Sequence, residues 1–216
     1  MGGEVPQRVN ESEHYVKKIL ALLGVISVLA LTGCGKVDNA ATIGDITISQ
    51  ASAQAIVDEV LAERAKIDTS QMQIQSGNAL NRSQLRFTIV TTLFDEIAKE
   101  LTIKISSTEL EKAKADLVAQ SGGQEALATN LVAAQIAPSN FDRYVRAIIT
   151  SNKIQEALAA SGVAKEDLST RITQLVNAKA AELTVKVNPR YGTWDADTGD
   201  IVASDSAGSA VVPSGN

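Results

Sequence analysis

The chain has 216 residues with 20 basic and 25 acidic side chains, a net charge of −5, so its surface carries no electrostatic footprint for nucleic acid. Hydrophobic residues make up 44% and aromatics only 3%, which excludes a wholly disordered chain and requires a core of Ala, Val, Ile and Leu. One Cys and one His exclude a disulfide scaffold, a Cys/His zinc site and most histidine-dependent catalysis.

Lys17 and Lys18 precede the apolar run Ile19 to Leu31, which leads into Thr32-Gly33-Cys34-Gly35. A basic flank, a short apolar run and small residues at its end form a secretory signal. The run falls short of the ~20 apolar residues that a membrane-spanning helix needs. Leu31-Thr32-Gly33-Cys34 looks like a bacterial lipobox, in which the Cys34 sulfur receives diacylglycerol and the signal is cut before it. Two acyl chains hold a protein stably on a bilayer, at ~0.8 kcal/mol per buried CH₂. The expectation is therefore a protein lipid-anchored through Cys34 on the extracytoplasmic face of the cell membrane. Glu4, Glu11 and Glu13 are out of character for the start of a signal, which points to a true start downstream of Met1, near Val16.

Cleavage before Cys34 also removes His14, leaving no histidine, and lipid caps the sole thiol. No Ser-His-Asp, Cys-His or His-metal site can be assembled from the remainder, and no Ser-x-x-Lys, Gly-x-Gly-x-x-Gly or Gly-x₄-Gly-Lys motif is present. The expectation is no catalytic residue, no cofactor, no metal and no enzyme.

After a lipidated tether over 34–40, Thr42-Ile43 and Ile46-Thr47-Ile48 flank Gly44-Asp45, a pattern that predicts a tight hairpin. Ser49 or Ser52 opens a helix to about Lys66, and residues 67–80 read as a polar loop. A helix over about 81–101 has apolar residues on most sides and is the candidate central helix. Residues 103–105 are a brief extended link before Ser106-Ser-Thr-Glu109, a capping-box match whose helix ends at Gly122-Gly123. A short helix over about 124–136 stops before Pro138, and Ser139 caps the next, which ends at Ser161-Gly162. The last helix spans about 165–181. Leu183 to Val187 then alternate with period two as a half-buried strand, and Asn188-Pro189 turns the chain. The tail over 203–216 has one charged side chain, Asp205, and reads as disordered. Pairing the first and last strands would close the domain over 41–202.

This order resembles the SurA-type N-terminal chaperone domain of small bacterial lipoproteins, kin to PrsA-like foldases. The resemblance is carried by Ala-Ala-Thr-Ile-Gly-Asp-Ile-Thr-Ile-Ser (40–49), Ala-Pro-Ser-Asn-Phe-Asp-Arg-Tyr-Val-Arg (137–146) and Val-Lys-Val-Asn-Pro-Arg-Tyr-Gly-Thr-Trp-Asp (185–195). It implies a mainly α fold closed by a small β-sheet of N- and C-terminal strands, and the holding of unfolded or partly folded exported polypeptides. Parvulin prolyl-isomerase domains depend on histidines and aromatics and need a further segment of about a hundred residues, which this chain lacks. Isomerase activity is therefore not carried over.

Candidate contact residues for a client or partner are Met72 and Ile74 in the Gln-rich loop, and Arg190, Tyr191 and Trp194 after Asn188-Pro189. The competing assignment makes the loop a solvated connector and packs Tyr191 and Trp194 onto the terminal sheet. Phe141 and Tyr144 read as core. Asp195 to Asp200 departs from the calcium-loop pattern and reads as an acidic turn. Beside the chaperone stand two alternatives: an envelope lipoprotein that serves as structural element or adaptor for one fixed partner, and an enzyme with a carboxylate or Ser/Lys site.

Overall fold

A computed structural model describes residues 38–203; the signal, Leu31, Thr32, Gly33, Cys34 and the tail from 204 onward lie outside the described residues. The elements run β1 (Asn39–Ile43), β2 (Ile46–Ser49), α1 (Gln50–Arg64), α2 (Gly77–Glu100), α3 (Ser107–Ser121), α4 (Gln124–Ala133), α5 (Phe141–Ala160), α6 (Leu168–Glu182), β3 (Lys186–Val187), β4 (Thr193–Asp195) and β5 (Asp200–Val202). The described residues are thus mainly helical, with short antiparallel strands. One sheet has the order β2-β1-β3, and β4 and β5 form a separate hairpin that the sequence patterns did not reveal.

The first strand pairs with the strand expected to be last: Ala41 stands opposite Val187 and Thr42 opposite Lys186, but β4 and β5 follow β3 and lie outside this sheet. Asn188 extends this join: its backbone N–H donates to Ala40 O at 2.8 Å and its side-chain amide to Asn39 O at 2.9 Å. Asn39 and Ala40, within the stretch expected to be tether, belong to the folded body, because Ala40 is fully buried and Asn39 is pinned.

Along α2, Leu85, Ile89, Leu93 and Ile97 recur every four residues and, with Leu101 just beyond, are essentially excluded from solvent. Each such side chain contributes roughly 1.5–3 kcal/mol on burial. They pack with Ile43 and Ile48 of the sheet, Ile154 and Leu158 of α5, Ile172 and Leu175 of α6, and Tyr191 and Ile201. This is the expected central helix, begun four residues early at Gly77, whose positive φ turns the chain into the helix and lets Leu80 in the first turn be buried.

Helix ends account for the other corrections. The strand expected over Leu183–Val187 is only Lys186–Val187, because α6 runs on and stops at Thr184, whose φ is +52°. Val185 N–H then bonds back to Ala180 O at 3.1 Å, closing a Schellman motif. Gln135 (φ +59°) ends α4 in the same way, ahead of the expected boundary at 136. Ser139 lies in a 3₁₀ turn over Pro138–Asn140 rather than capping α5. Its N–H donates to Glu59 Oε1 at 2.8 Å and its hydroxyl to Glu59 Oε2, so a carboxylate from α1 holds the start of α5. Ser106 caps α3 as expected, accepting from Glu109 N at 3.1 Å, but the Glu109 carboxylate is spent on Lys153 at 3.0 Å.

Candidate functional site

Two regions carry the candidate contact residues, and α1 separates them. At its first residue, the Arg190 guanidinium donates to Gln50 Oε1 and lies 5.4 Å from the centroid of the Tyr191 ring. At its last, Arg64 donates from Nη1 to Gln75 O and from Nη2 to Gln135 Oε1, both at 2.7 Å. With a rise of ~1.5 Å per residue, the two ends lie roughly 21 Å apart. Met72 and Ile74, in the loop fastened at Gln75, are therefore not brought together with Arg190, Tyr191 and Trp194.

The C-terminal group is a folded turn. Arg190 N–H donates to Asn188 Oδ1 at 3.1 Å, Tyr191 N–H to Asn188 O at 2.9 Å and Gly192 N–H to Pro189 O at 3.2 Å. Tyr191 is buried in the core and Trp194 packs half-buried against it, which is the packing assignment; Arg190 alone of the three is exposed. The β4–β5 turn following it is pinned to two helices, with Arg86 Nε donating to Gly199 O at 3.0 Å and the Asn177 amide to Asp197 O at 2.7 Å. Asp195 Oδ1 accepts from the N–H groups of Asp197 and Thr198, which lowers its carboxyl pKa and makes the acidic segment an Asx-type turn.

The loop end rests on a polar knot that no sequence pattern signals. Arg64 is 9% exposed at the C-terminus of α1, where the helix dipole favours a cation. Gln135 links three segments: its side-chain oxygen also accepts from Gln75 N at 3.0 Å, and its backbone carbonyl from Gln84 Nε2 at 2.9 Å. Burial lowers the Arg64 pKa, yet a guanidinium stays protonated across the physiological range. Met72 and Ile74 are half-buried, while Gln71, Gln73 and Gln75 between and beside them are exposed.

The partly covered apolar surface lies elsewhere. All three phenylalanines, Phe87, Phe94 and Phe141, are only half-buried, and Ile46, Leu61 and Val202 are exposed, while Leu85, Ile89, Leu93 and Ile97 are closed off from solvent. Phe87, Val90 and Phe94 fall on one stripe of α2, on the side away from Leu85 and Ile89, although Phe94 also packs against the edge of the main core. Phe141 and Tyr144 pack on a satellite cluster of Leu110, Val145 and Ile149 that joins α3 to α5. In α3 only Leu110 is fully buried, and Ala113, Leu117 and Val118 are half-covered.

Next to Phe94, the Asp95 carboxyl has its pKa raised by burial, against the opposing attraction of Arg143, Lys99 and Arg146. A carboxyl raised in the fold binds its proton more tightly there than in the unfolded chain. Its stabilising contribution is complete below the ordinary aspartate value of ~3.9 and is lost as pH climbs through the raised value. Asp95→Asn should accordingly raise stability at neutral pH, by less than about 1 kcal/mol because the group remains partly wetted. Urea melts at neutral and acidic pH check this: the gain should vanish in acid, and a loss at neutral pH would show that the arginine attraction dominates.

Among the described residues no group of His, Cys, Asp or Glu is placed to hold a metal ion, and no helix is long and apolar enough to cross a membrane. In comparison with known proteins, the chain matches no family model, no curated protein and no solved structure.

Proposed function

We propose that the chain is a membrane-anchored, extracytoplasmic lipoprotein that holds unfolded or partly folded exported polypeptides, through a SurA-type N-terminal domain and without prolyl isomerase activity. The observation that carries the reading is the half-burial of all three phenylalanines, with Phe87, Val90 and Phe94 on one face of α2. Covering an aromatic or large aliphatic side chain is worth roughly 1.5–3 kcal/mol. A client segment that finishes covering Phe87, Val90 and Phe94 gains part of that, with no demand on its sequence. The pairing of β1 with β3 also agrees with the strand arrangement that the resemblance implies. Cys34 is the proposed lipidation site, and no residue is assigned to catalysis.

Dilution of several unrelated denatured proteins into stoichiometric amounts of the mature protein tests the reading by light scattering. Aggregation should be suppressed for each client, and Phe87→Ser/Phe94→Ser should weaken suppression several-fold while circular dichroism reports an intact helical fold. Absence of suppression for every client would remove the proposal. Saturable capture of one envelope protein in place of general suppression would favour the adaptor.

A further inference from the structure

Both ends of the described chain leave the body at one place. Asp38 is held there because its carbonyl accepts from Gln50 N at 2.8 Å, and Asn39 because its carbonyl accepts the Asn188 amide at 2.9 Å. The other end is linked to the same place through the turn that begins at Asn188. Gly192 in that turn approaches Val202 so closely that a Cβ on it would stand 2.1 Å from the Val202 carbonyl oxygen. Around these exits lie the first residues of α1, exposed Pro189 and Arg190, and Val202, which is 52% exposed. Arg64, Gln75 and Gln135, with the end of α4, are at the other end of α1.

We infer that this end, formed by Asp38, Gln50, Ala51, Pro189, Arg190 and Val202, faces the lipid bilayer, and that the loop of Met72 and Ile74 and the end of α4 are held away from it. The inference rests on the lipid anchor at Cys34 proposed above. Four Cα steps separate Cys34 from Asp38, a reach of at most ~14 Å. The 24-residue α2 alone is ~36 Å long, so the body is larger than its leash. Charge does not select the orientation, since Asp38 and Arg190 oppose one another at this end; the short leash does. Val202 adds apolar surface and Arg190 a cation that snorkels to headgroup phosphates.

The test uses diacylated mature protein in vesicles of phosphatidylethanolamine and phosphatidylglycerol that carry a headgroup-linked quencher. A maleimide fluorophore is placed in turn on Ala51→Cys, Ala203→Cys, Ala65→Cys and Ala133→Cys, all exposed positions. Quenching should be several-fold stronger at 51 and 203 than at 65 and 133. Equal quenching at the four positions, or stronger quenching at 65 and 133, in protein that floats with the vesicles would overturn the orientation and leave the anchor standing. Protein that fails to float, with Cys34 itself open to the maleimide, would remove the anchor and the orientation together.

Discussion

Gly192→Ala is expected to cost about 3 kcal/mol and to lower the melting temperature by roughly 6–12 °C. Two independent obstacles meet at this residue. Its φ is +128°, a conformation that side-chain-bearing residues rarely adopt. An added Cβ would also lie 2.1 Å from the Val202 carbonyl oxygen and 3.1 Å from Ile201 Cγ2. The first of these neighbours is backbone, so relief requires β5 to move away, and Ile201 belongs to the main core. Gly77→Ala is the matched control: its φ is +53°, but nothing lies within 4 Å of the new methyl group. That substitution should cost only the left-handed penalty of roughly 1–2 kcal/mol. Thermal melts compare the two directly, and Trp194, the sole tryptophan, gives a local readout. Displacement of the β4–β5 hairpin should expose its indole and shift the emission to the red in Gly192→Ala alone. Equal melting of the two variants would show that the close approach at Val202 carries no energetic weight.

The distinction between these glycines also explains what could be read from the sequence. Helix ends marked by glycine were legible: Gly122 and Gly162 occupy left-handed positions just after α3 and α5. Three further ends use the same motif with a polar residue that bears a side chain. Thr102, Gln135 and Thr184 all have positive φ, and the N–H of the apolar residue after each bonds back to Ala98, Leu131 and Ala180 respectively. A threonine or glutamine before an isoleucine or valine carries no stop signal, and around Thr184 it imitates a strand: Leu183 and Val185 are half-buried with Thr184 exposed between them. Period two there reports a turn folding apolar neighbours onto the core. The central helix was legible because it depends on hydrophobic spacing over many residues, whereas the pairing of β1 with β3 rests on two positions and no local pattern carried it. Most of the candidate site was not legible either. Arg64 is polar, with no local partner in sequence, and it reaches Gln135 across 71 positions. The phenylalanine stripe was visible as a helical face, but its half-burial depends on where α5, α6 and the β4–β5 hairpin stop covering α2.

Lys179 provides the second large effect, and it separates charge from packing. The residue is 3% exposed, and its ammonium donates to the carboxylates of Glu100 and, at 2.6 Å, Glu182, tying the end of α2 to the end of α6. Replacing a buried ion pair with an apolar side chain of similar volume is often neutral or stabilising, because desolvation offsets much of the attraction. Lys179→Met should therefore stay within about 1 kcal/mol of the parent, leaving two glutamates that are already 42% and 50% exposed to hydrate. Glu100→Gln/Glu182→Gln does the reverse and strands an uncompensated ammonium, at a cost of about 3 kcal/mol. The pH dependence distinguishes the two mechanisms. In the parent, burial depresses the Lys179 pKa, but the hydrogen bonds to Glu100 and Glu182 outweigh it and the net shift is upward. The stabilisation is thus complete below the ordinary lysine value of ~10.4 and is lost as pH rises through the raised one. Without the carboxylates burial acts alone and the shift reverses, so the double variant should gain stability as pH climbs toward ~10. Urea melts of the parent and both variants, at neutral pH and near ~10, measure these slopes. A double variant as stable as the parent at neutral pH, with a parallel slope, would show that the ammonium reaches solvent and that packing alone joins the two helix ends.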